Sequence, residues 1–522
     1  MILAALRTPD IVVLFVYFAL LIGAGFYFRK RSGTVEGFTV ANRSLPGWVV
    51  GLSIFGTYLS SNTFIGVPGQ AYGSNWNGFV FSLSLPIAAF ISVKWFVPFY
   101  RRHAGLSAYE HLETRFGAWA RVYAVVCYLL TQVSRVGTIM FGVSVGLHAL
   151  TGWDIATIIV FSGAAVTLYT LMGGIEAVIW TDAIQSVVLT VGAVVVVILI
   201  LTGMPEGPGQ AIQLAEEAGK FSLGDFGPSL ASSTFWVILM YGIVMNLTNF
   251  GIDQNFVQRY HAAESDKAAG RSVWFGSLIY IPVALMFFFI GSILFSYGEA
   301  NPEFLAEVKL EMVTADSPGL AKDSAEAKRL ASEMKPSDYG DKVLPHFIAN
   351  KIPAGLAGLL IAALFAAAMS SIDTSLNSSS TIALQDFYRR WARPDADEAQ
   401  SLRFLRVMTV VWGIIGTGVA LAMMGVESIL DAWWKISGVF AGGMLGLFLL
   451  GFISRRANNA GAVTGATVGL LVILWLTFST GLTGELEWLR SPFHAHMTSV
   501  IGTLSIFLIG LGASQVFGRK SD

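Results

Sequence analysis

Long apolar segments recur along the whole chain and decide what it can fold into. A helix that crosses a bilayer needs about 20 mainly apolar residues, and thirteen segments of the 522-residue chain meet this requirement. They lie at 10–28, 47–71, 77–99, 121–149, 154–172, 179–202, 233–257, 273–297, 353–385, 404–423, 428–450, 458–479 and 497–516. The sequence therefore predicts an all-α polytopic membrane protein with 13 transmembrane helices in a single transmembrane domain over 1–522.

The composition excludes the common soluble classes of protein. Hydrophobic residues make up 54% of the chain and charged residues 13%, where a soluble protein has about 25% charged residues. The 33 basic and 34 acidic residues nearly cancel, which argues against nucleic acid as a partner bound through bulk positive charge. The single cysteine, Cys127, cannot supply a disulfide framework or a cysteine-built metal site.

Lysine and arginine in short loops indicate the orientation, because cytoplasmic loops carry an excess of these residues. One alternate set of loops holds twenty of them, Arg259 included, and the opposite set holds three once the long loop 298–352 is excluded. We therefore expect the N-terminus outside and the C-terminus in the cytoplasm. The loop 298–352 falls outside, where its mixed charges at helix-like spacing predict a solvated helical cap.

Two spans contain residues that weaken a helix at mid-membrane depth. The second span has Gly56, Gly66 and Pro68 around a run of hydroxyl and amide residues, and the seventh has a polar run from Asn246 to Asp253. Irregular backbone is tolerated at this depth only where it lines a cavity or is buried in protein. Paired interruptions point to a transporter site, whereas close helix packing through glycine is the alternative interpretation.

The spacing of the two interrupted spans predicts an internal repeat. They lie five spans apart, and five is odd, so the two halves would have opposite topology. The first inverted repeat would cover 47–202 and the second 233–450, which includes the loop 298–352. An extra helix at 10–28 precedes the repeats, and two C-terminal helices follow at 458–516.

Ionisable residues within spans are expensive in lipid and are functional candidates for that reason. Ser370, Asp373 and Thr374 share one face of the ninth span, and Ser371 lies on an adjoining stripe. Their oxygens are the ligands that hard cations prefer. Hydrogen bonds from the hydroxyls to their own helix are the alternative. Asp182, near the start of the sixth span, is equally consistent with a helix cap.

Arg135 lies halfway along the fourth span and must face a partner, a water-filled cavity or a substrate. Its planar guanidinium can form two parallel hydrogen bonds to a carboxylate in bidentate geometry. The alternative is a structural ion pair with an interior acid such as Asp253, Asp373 or Asp431. Asp431 and Lys435, four residues apart in the eleventh span, are expected to pair with each other.

Several motifs together resemble those of a known family. They are the stretches 60–66, 107–116, 173–182, 253–259 and 366–378. The chain resembles the sodium/solute symporters over nearly its whole length, and the resemblance implies a LeuT-type fold of two inverted five-helix repeats. Within that family it is most similar to the bacterial sialic acid symporters, through the stretch Gln132–Val136 that surrounds Arg135.

The resemblance also implies binding residues. Arg135 would hold the carboxylate of a sugar, and Ser60, Asn62 and Thr63 would contact the sugar from the interrupted second span. The implied sodium site one consists of Gly56, Leu59, Ala367, Ser370 and Ser371, and sodium site two consists of Asp182, Ser370, Asp373 and Thr374. Position 373 is usually a hydroxyl residue in these transporters, so the aspartate here is a departure.

The sequence therefore predicts a sodium-coupled secondary active symporter that imports an acidic sugar, with sialic acid as the expected substrate. One or two sodium ions, no organic cofactor and no enzymatic activity are expected, and the protein should act as a monomer in a cell membrane. That membrane would be the inner one in a Gram-negative source. The alternatives are a neutral sugar or amino acid with Arg135 in a structural ion pair, proton coupling through Asp373, and a membrane sensor.

Overall fold

The computed structural model describes residues 7–59, 62–103, 105–317, 319–424 and 443–517, and their regular structure is helical apart from one β-bridge between Leu45 and Ala263. In chain order the helices are α1 (Thr8–Phe28), α2 (Val35–Val40), α3 (Gly47–Tyr58), α4 (Val67–Gly73), α5 (Val80–Leu83), α6 (Leu85–Ile91), α7 (Val97–His103), α8 (Glu110–Phe116), α9 (Ala118–Thr151), α10 (Ile155–Thr202), α11 (Pro208–Glu217), α12 (Phe235–Ile252), α13 (Gln254–Ala262), α14 (Asp266–Ala300), α15 (Pro302–Asp316), α16 (Ala325–Glu333), α17 (Pro336–Lys351), α18 (Leu356–Ile382), α19 (Glu398–Ala422), α20 (Gly443–Ile453), α21 (Asn459–Phe478) and α22 (Met497–Phe517). Turns of π-helix at Asn62–Gly66, Ser92–Phe96 and Ala383–Ala392 extend α4, α6 and α18.

Ten helical stretches of the described residues are long and apolar enough to cross a membrane, and α3 and α20 are shorter apolar helices. The prediction of an all-helical membrane protein is therefore confirmed. Most of the predicted span 428–450, including Asp431 and Lys435, lies outside the described residues. The count of thirteen spans and the orientation of the termini stay predictions.

Both predicted helix interruptions are present. Helix α3 ends at Tyr58, and Leu59 has an extended backbone with φ −85° and ψ 111°. Helix α12 ends at Ile252, and Asp253 is extended with φ −78° and ψ 120° before α13 begins. These breaks leave main-chain carbonyls free of the helical ladder in the interior, where they must find other partners.

Helix α10 differs from the prediction in one respect. The sequence predicted two separate spans, 154–172 and 179–202, but the chain passes from one to the other at a single residue, Gly174, without a loop. Gly174 has φ 55° and ψ −154°, a conformation that residues with a β-carbon rarely adopt. The composition of this stretch shows no loop-forming polar run, and the sharp turn depends on this glycine alone.

The predicted helical cap over 298–352 is also helical in the structure, as α15, α16 and α17. Helix α17 packs directly on α4, the short half of the first interrupted helix. The two backbones are so close that a β-carbon on Gly69 would lie 2.8 Å from the Cα of Asp341. The cap is therefore packed against an interrupted helix and is not a separate surface feature.

The extra helix α1 is attached to the helix that carries most of the predicted sodium ligands. The carboxylate of Asp10 accepts hydrogen bonds from the backbone N–H groups of Gly355 (2.7 Å) and Gly358 (2.8 Å) at the beginning of α18. At its other end, Arg31 Nη1 lies 2.8 Å from Glu176 Oε1 of α10. Helix α1 thus supports α10 and α18 from outside the two predicted repeats.

We expect Gly174→Ala to destabilise the protein by about 1–3 kcal/mol, the usual effect of forcing a β-carbon into such a conformation. The added carbon would also lie 2.9 Å from the Cα of Phe38. Thermal unfolding in detergent measures the change. The matched control is Gly23→Ala, because no atom lies within 4 Å of the β-carbon position at Gly23. Equal unfolding midpoints for the two variants would contradict this account of the turn.

Candidate functional site

The break after α3 lies against the middle of α18. Ser370 Oγ is 3.4 Å from the carbonyl oxygen of Gly56 and 3.4 Å from that of Ala367, so the hydroxyl bridges the two helices. The hydroxyl of the adjacent Ser371 is buried and has no hydrogen-bond partner in the part of the chain that the structure describes. Leu59 is buried at the same break. Three of the five residues predicted for sodium site one are thus in direct proximity.

These residues offer the chemistry that a sodium ion needs. Main-chain carbonyls and serine hydroxyls are neutral oxygen ligands, which hard cations prefer. An unpartnered buried hydroxyl carries a free-energy penalty that a bound cation would relieve. Among the described residues there is no group of three or more histidine, cysteine, aspartate and glutamate side chains suited to a metal ion. The carbonyl and hydroxyl oxygens at this break are compatible with an alkali cation.

Next to this site lies a fully buried arginine that the sequence analysis placed in a loop. Arg259 Nη2 donates to Asp182 Oδ2 (2.7 Å) and to Thr374 Oγ1 (2.7 Å). Its Nε donates to Ser53 Oγ (2.8 Å), and its Nη1 donates to the carbonyl oxygen of Asn255 (2.7 Å). Arg259 and Asp182 are both 0% exposed. The assignment of Arg259 to a cytoplasmic loop is wrong, because α13 runs into the protein after the break at 253.

Asp182 is not a helix cap either. It lies well inside α10, two turns past the bend at Gly174, and its Oδ2 accepts hydrogen bonds from Arg259 and from Ser53 Oγ (2.6 Å). Its other oxygen, Oδ1, is buried without a hydrogen-bond partner among the described residues. The sequence could not separate a cap from a buried ion pair, because the partner is 77 residues away.

Asp373 follows Ser370 and Ser371 on α18 and is also fully buried. Its Oδ2 accepts a hydrogen bond from the Tyr169 hydroxyl (2.6 Å) and its Oδ1 from the backbone N–H of Thr374 (2.6 Å). No ion pair of Asp373 occurs within the described ranges. Two acidic side chains, those of Asp182 and Asp373, therefore share the cluster with one basic side chain, that of Arg259.

Arg135 occupies the position predicted for it, halfway along α9, and faces the same break in α3. Its Nη2 donates to the carbonyl oxygen of Thr57 (3.2 Å), and its Nη1 lies 3.8 Å from Asp253 Oδ2. The side chain of Arg135 keeps 26% of its surface exposed. The Arg135 side chain therefore contacts α3 through Nη2 and remains partly exposed.

The predicted sugar contacts can be followed only in part. Thr63 is buried, and its hydroxyl donates a weak hydrogen bond to the Tyr58 carbonyl oxygen (3.4 Å). Ser60 and the side chain of Asn62 lie outside what the structure describes. Thr63 belongs to the π-helical turn that begins α4, so it lies on the C-terminal side of the break in the first interrupted helix.

A polar network that the sequence analysis missed connects α13 to α9 and α18. Gln132 Oε1 accepts hydrogen bonds from Ser375 Oγ (2.8 Å) and Asn255 Nδ2 (3.3 Å). Ser378 Oγ donates to Asn255 Oδ1 (2.5 Å) and accepts from the Tyr128 hydroxyl (2.7 Å). The signal in the sequence was the density of hydroxyl and amide residues along 370–381.

The chain matches the family model described as the sodium:solute symporter family over residues 38–469. It is 31% identical over 514 residues to the sodium/sialic acid symporter NanT of Aliivibrio fischeri, covering 98% of this chain and 94% of that protein. It is 32% identical over 510 residues to the sodium/sialic acid symporter SiaT of Proteus mirabilis, covering 97% of this chain and 94% of that protein.

A similar solved structure is that of a Na+-coupled sialic acid symporter in a substrate-bound, outward-open state. It superposes with a TM-score of 0.85 at 31% identity and covers 98% of both chains. These proteins are transporters and not enzymes. This chain belongs to the sodium:solute symporter family.

Proposed function

We propose that this protein imports an anionic sugar of the sialic acid class together with sodium, across the inner membrane if the source is Gram-negative. The observation that carries the substrate class is the state of Arg135. Its side chain lies beside a helix break and stays partly exposed. The curated relatives NanT and SiaT are named for sialic acid, which agrees with a carboxylate as the group that Arg135 recognises.

The two arginines near the breaks differ in exposure and in the distance to their carboxylate partners, which supports different roles for them. Arg259 is 2.7 Å from its carboxylate partner and has no exposed surface, so it is a structural group. Arg135 is 3.8 Å from Asp253, longer than the 2.7–2.9 Å of a strong charge-assisted hydrogen bond. A substrate carboxylate can therefore form better hydrogen bonds to Arg135 than Asp253 does.

A neutral substrate is the second candidate, and it rests on the contact between Arg135 and Asp253. At 3.8 Å, Arg135 and Asp253 still form an ion pair in the absence of a ligand. If this pair were purely structural, Arg135 would contribute nothing to the choice of substrate. The variant described below separates the two cases.

Sodium site one would use the carbonyl oxygens of Gly56, Leu59 and Ala367 with the hydroxyls of Ser370 and Ser371. Its support is the contact of Ser370 with both Gly56 and Ala367 and the unpartnered hydroxyl of Ser371. A cation here would join α3 to α18. We infer that sodium stabilises the outward-open state in this way and prepares the break for the sugar, which Ser60, Asn62 and Thr63 would contact.

Sodium site two would use Asp182, Ser370, Asp373 and Thr374. Its support is the unbalanced charge of the cluster, because a buried carboxylate without a cation is strongly unfavourable. The unpartnered Oδ1 of Asp182 offers a further ligand. A proton on Asp373 would also balance the charge, and this is the alternative coupling ion.

The number of sodium ions decides whether the membrane potential drives uptake. One sodium ion and one singly charged sugar move no net charge. A second sodium ion restores an inward electrical driving force of about 2.3 kcal/mol per 100 mV. We therefore expect two ions per sugar, in a protein that works as a monomer by rocking one bundle of helices against the rest.

Arg135→Ala is expected to weaken binding of N-acetylneuraminate by about 10- to 100-fold, the usual effect of losing hydrogen bonds to a charged group. Isothermal titration in saturating sodium measures it. Lys94→Ala is the matched control, since it also removes a basic residue from a span, but at an exposed position. Unchanged affinity in Arg135→Ala would support the neutral-substrate candidate instead.

Ser370→Ala and Ser371→Ala should each raise the sodium concentration for half-maximal uptake by about tenfold, equivalent to about 1.4 kcal/mol. The reason is the loss of one oxygen ligand in each variant. Ser380→Ala is the control on the same helix, because its hydroxyl bonds to the Leu376 carbonyl oxygen (2.7 Å) and to Thr409. A similar change in the control would show a general effect of α18 and not of a sodium site.

Asp373→Ser should keep two sodium ions per sugar, because it restores the hydroxyl usual at this position, whereas Asp373→Ala should leave about one. The Hill coefficient for sodium, which cannot exceed the number of sites, and the charge moved per sugar in proteoliposomes measure this. If Asp373→Ala still couples two sodium ions to each sugar, Asp373 is not a ligand of sodium site two. If uptake by the wild type persists without sodium and follows a pH gradient, the coupling ion is the proton and not sodium.

A further inference from the structure

A groove of about 390 Å³ opens between the beginnings of α3 and α14. Both helices begin on the side of the molecule that the sequence analysis predicts to be cytoplasmic. Trp48 on α3 and Lys267, Arg271 and Phe275 on α14 line the groove, and Glu264 lies at its rim. None of these residues has a part in the proposed transport sites.

The basic residues of the groove are exposed and form no ion pairs among the described residues. Lys267 and Arg271 are one helical turn apart and both are exposed. Neither forms an ion pair with any acid in the ranges that the structure describes. Glu264 contributes one negative charge to the lining and is likewise without an ion pair there, so the groove keeps a net positive charge.

The nearby acid Asp266 does not cancel this charge, because other arginines occupy it. Arg101 Nε lies 2.8 Å from Asp266 Oδ1, and Arg102 Nε lies 3.4 Å from Asp266 Oδ2. Lys267 and Arg271 thus differ from the other basic residues at this end of α14, which are paired. Two unpaired cations beside a cavity favour an anionic ligand.

The same face of α14 changes from basic to apolar along its length. Lys267, Arg271, Phe275 and Leu278 are spaced by four, four and three residues, which places them in one stripe. Phe275 is 42% exposed and Leu278 is 50% exposed, although both are large and apolar. At 1.5 Å per residue the stripe is about 16 Å long, so a ligand that fills it has an anionic end and a long apolar end.

Aromatic residues place the boundary of the membrane at this groove. Trp48 is 56% exposed and packs edge-on against Trp180, with 5.8 Å between ring centroids. Trp180 in turn stacks on Phe28, and the neighbouring Tyr27 is exposed as well. Tryptophan and tyrosine concentrate at the level of lipid headgroups. The basic end of the stripe therefore lies at headgroup depth and the apolar end within the bilayer.

We propose that this groove is a binding site for one anionic phospholipid. Lys267 and Arg271 bind the headgroup phosphate, Trp48 covers the glycerol region, and an acyl chain lies along Phe275 and Leu278. The site is independent of the proposed substrate and sodium sites. It lies at the start of α3, whose opposite end carries Gly56, so a bound lipid holds the inner half of the interrupted helix against α14.

The direct test is retention of lipid by the purified full-length protein in native mass spectrometry, with phosphatidylglycerol compared with phosphatidylcholine. The double variant Lys267→Gln and Arg271→Gln should lose about 25-fold in affinity for phosphatidylglycerol, taking about fivefold for each basic residue near a lipid surface. Its affinity for phosphatidylcholine should change little. The control is Arg29→Gln with Lys30→Gln, which removes two exposed charges at the same predicted side of the membrane.

A second measurement localises the lipid. Phosphatidylglycerol brominated on its acyl chains should quench more of the tryptophan fluorescence than brominated phosphatidylcholine, and Trp48→Phe should abolish most of that difference. Sodium-dependent thermal stabilisation of each variant shows that it is folded, so a loss of lipid is not a loss of structure.

Three results would overturn the proposal. If the double variant and the control lose the same affinity for phosphatidylglycerol, the lipid is attracted by the charged surface in general and not by this groove. Displacement of the lipid by millimolar inorganic phosphate would indicate a site for a free anion and not for a phospholipid. Quenching that is the same for both brominated lipids would place the anionic lipid away from Trp48.

Discussion

The buried ion pair of Arg259 and Asp182 is the interaction on which the centre of the molecule depends. Arg259 donates hydrogen bonds to Asn255 on its own helix, α13, and to groups on three other helices. These groups are Ser53 on α3, Asp182 on α10 and Thr374 on α18. A charge this deep is tolerated only when its hydrogen bonds are complete. Arg259 therefore ties α13 to the other three helices, and the hydrogen bond between Asn255 and Ser378 adds a second link to α18.

The same pair determines the electrostatics of the region. Once Arg259 has neutralised Asp182, the carboxyl group of Asp373 has no ion-pair partner among the described residues, and the hydrogen bonds that it accepts there come from the Tyr169 hydroxyl and a backbone N–H. In a lipid or protein interior such a group must bind a cation or carry a proton. The structural role of Arg259 and the proposed cation requirement at Asp373 are consequences of one arrangement of three charges.

The sequence predicted those features that depend on local chemistry. Gly56, Gly66 and Pro68 in one span and the polar run before Asp253 in another weaken helices wherever they occur, and both breaks are present. Features that depend on distant partners were missed. Arg259 was counted as a loop residue and Asp182 was equally well a cap, because their contact joins residues far apart in sequence.

The candidate site shows the same division. The proximity of Gly56, Ala367 and Ser370 followed from the family resemblance and agrees with the contacts. The family resemblance implied the proposed role of Arg135, whereas the buried position of Arg259 did not follow from the sequence, which placed it in a loop. Only the exposed fraction and the distance to the nearest carboxylate distinguish Arg135 from Arg259.

In the proposed mechanism, Arg135 and Ser370 would couple sodium and substrate through α3. The two side chains contact consecutive carbonyl oxygens of α3, Arg135 that of Thr57 and Ser370 that of Gly56. A sodium ion that draws the Gly56 carbonyl towards α18 would shift the adjoining turn of α3, and this displacement is the proposed route to the carbonyl that holds Arg135. Coupling of two ligands is reciprocal in free energy, so a carboxylate that releases Arg135 from Thr57 would favour sodium by the same amount. In the proposed mechanism, a single turn of α3 is therefore sufficient to link the two sites.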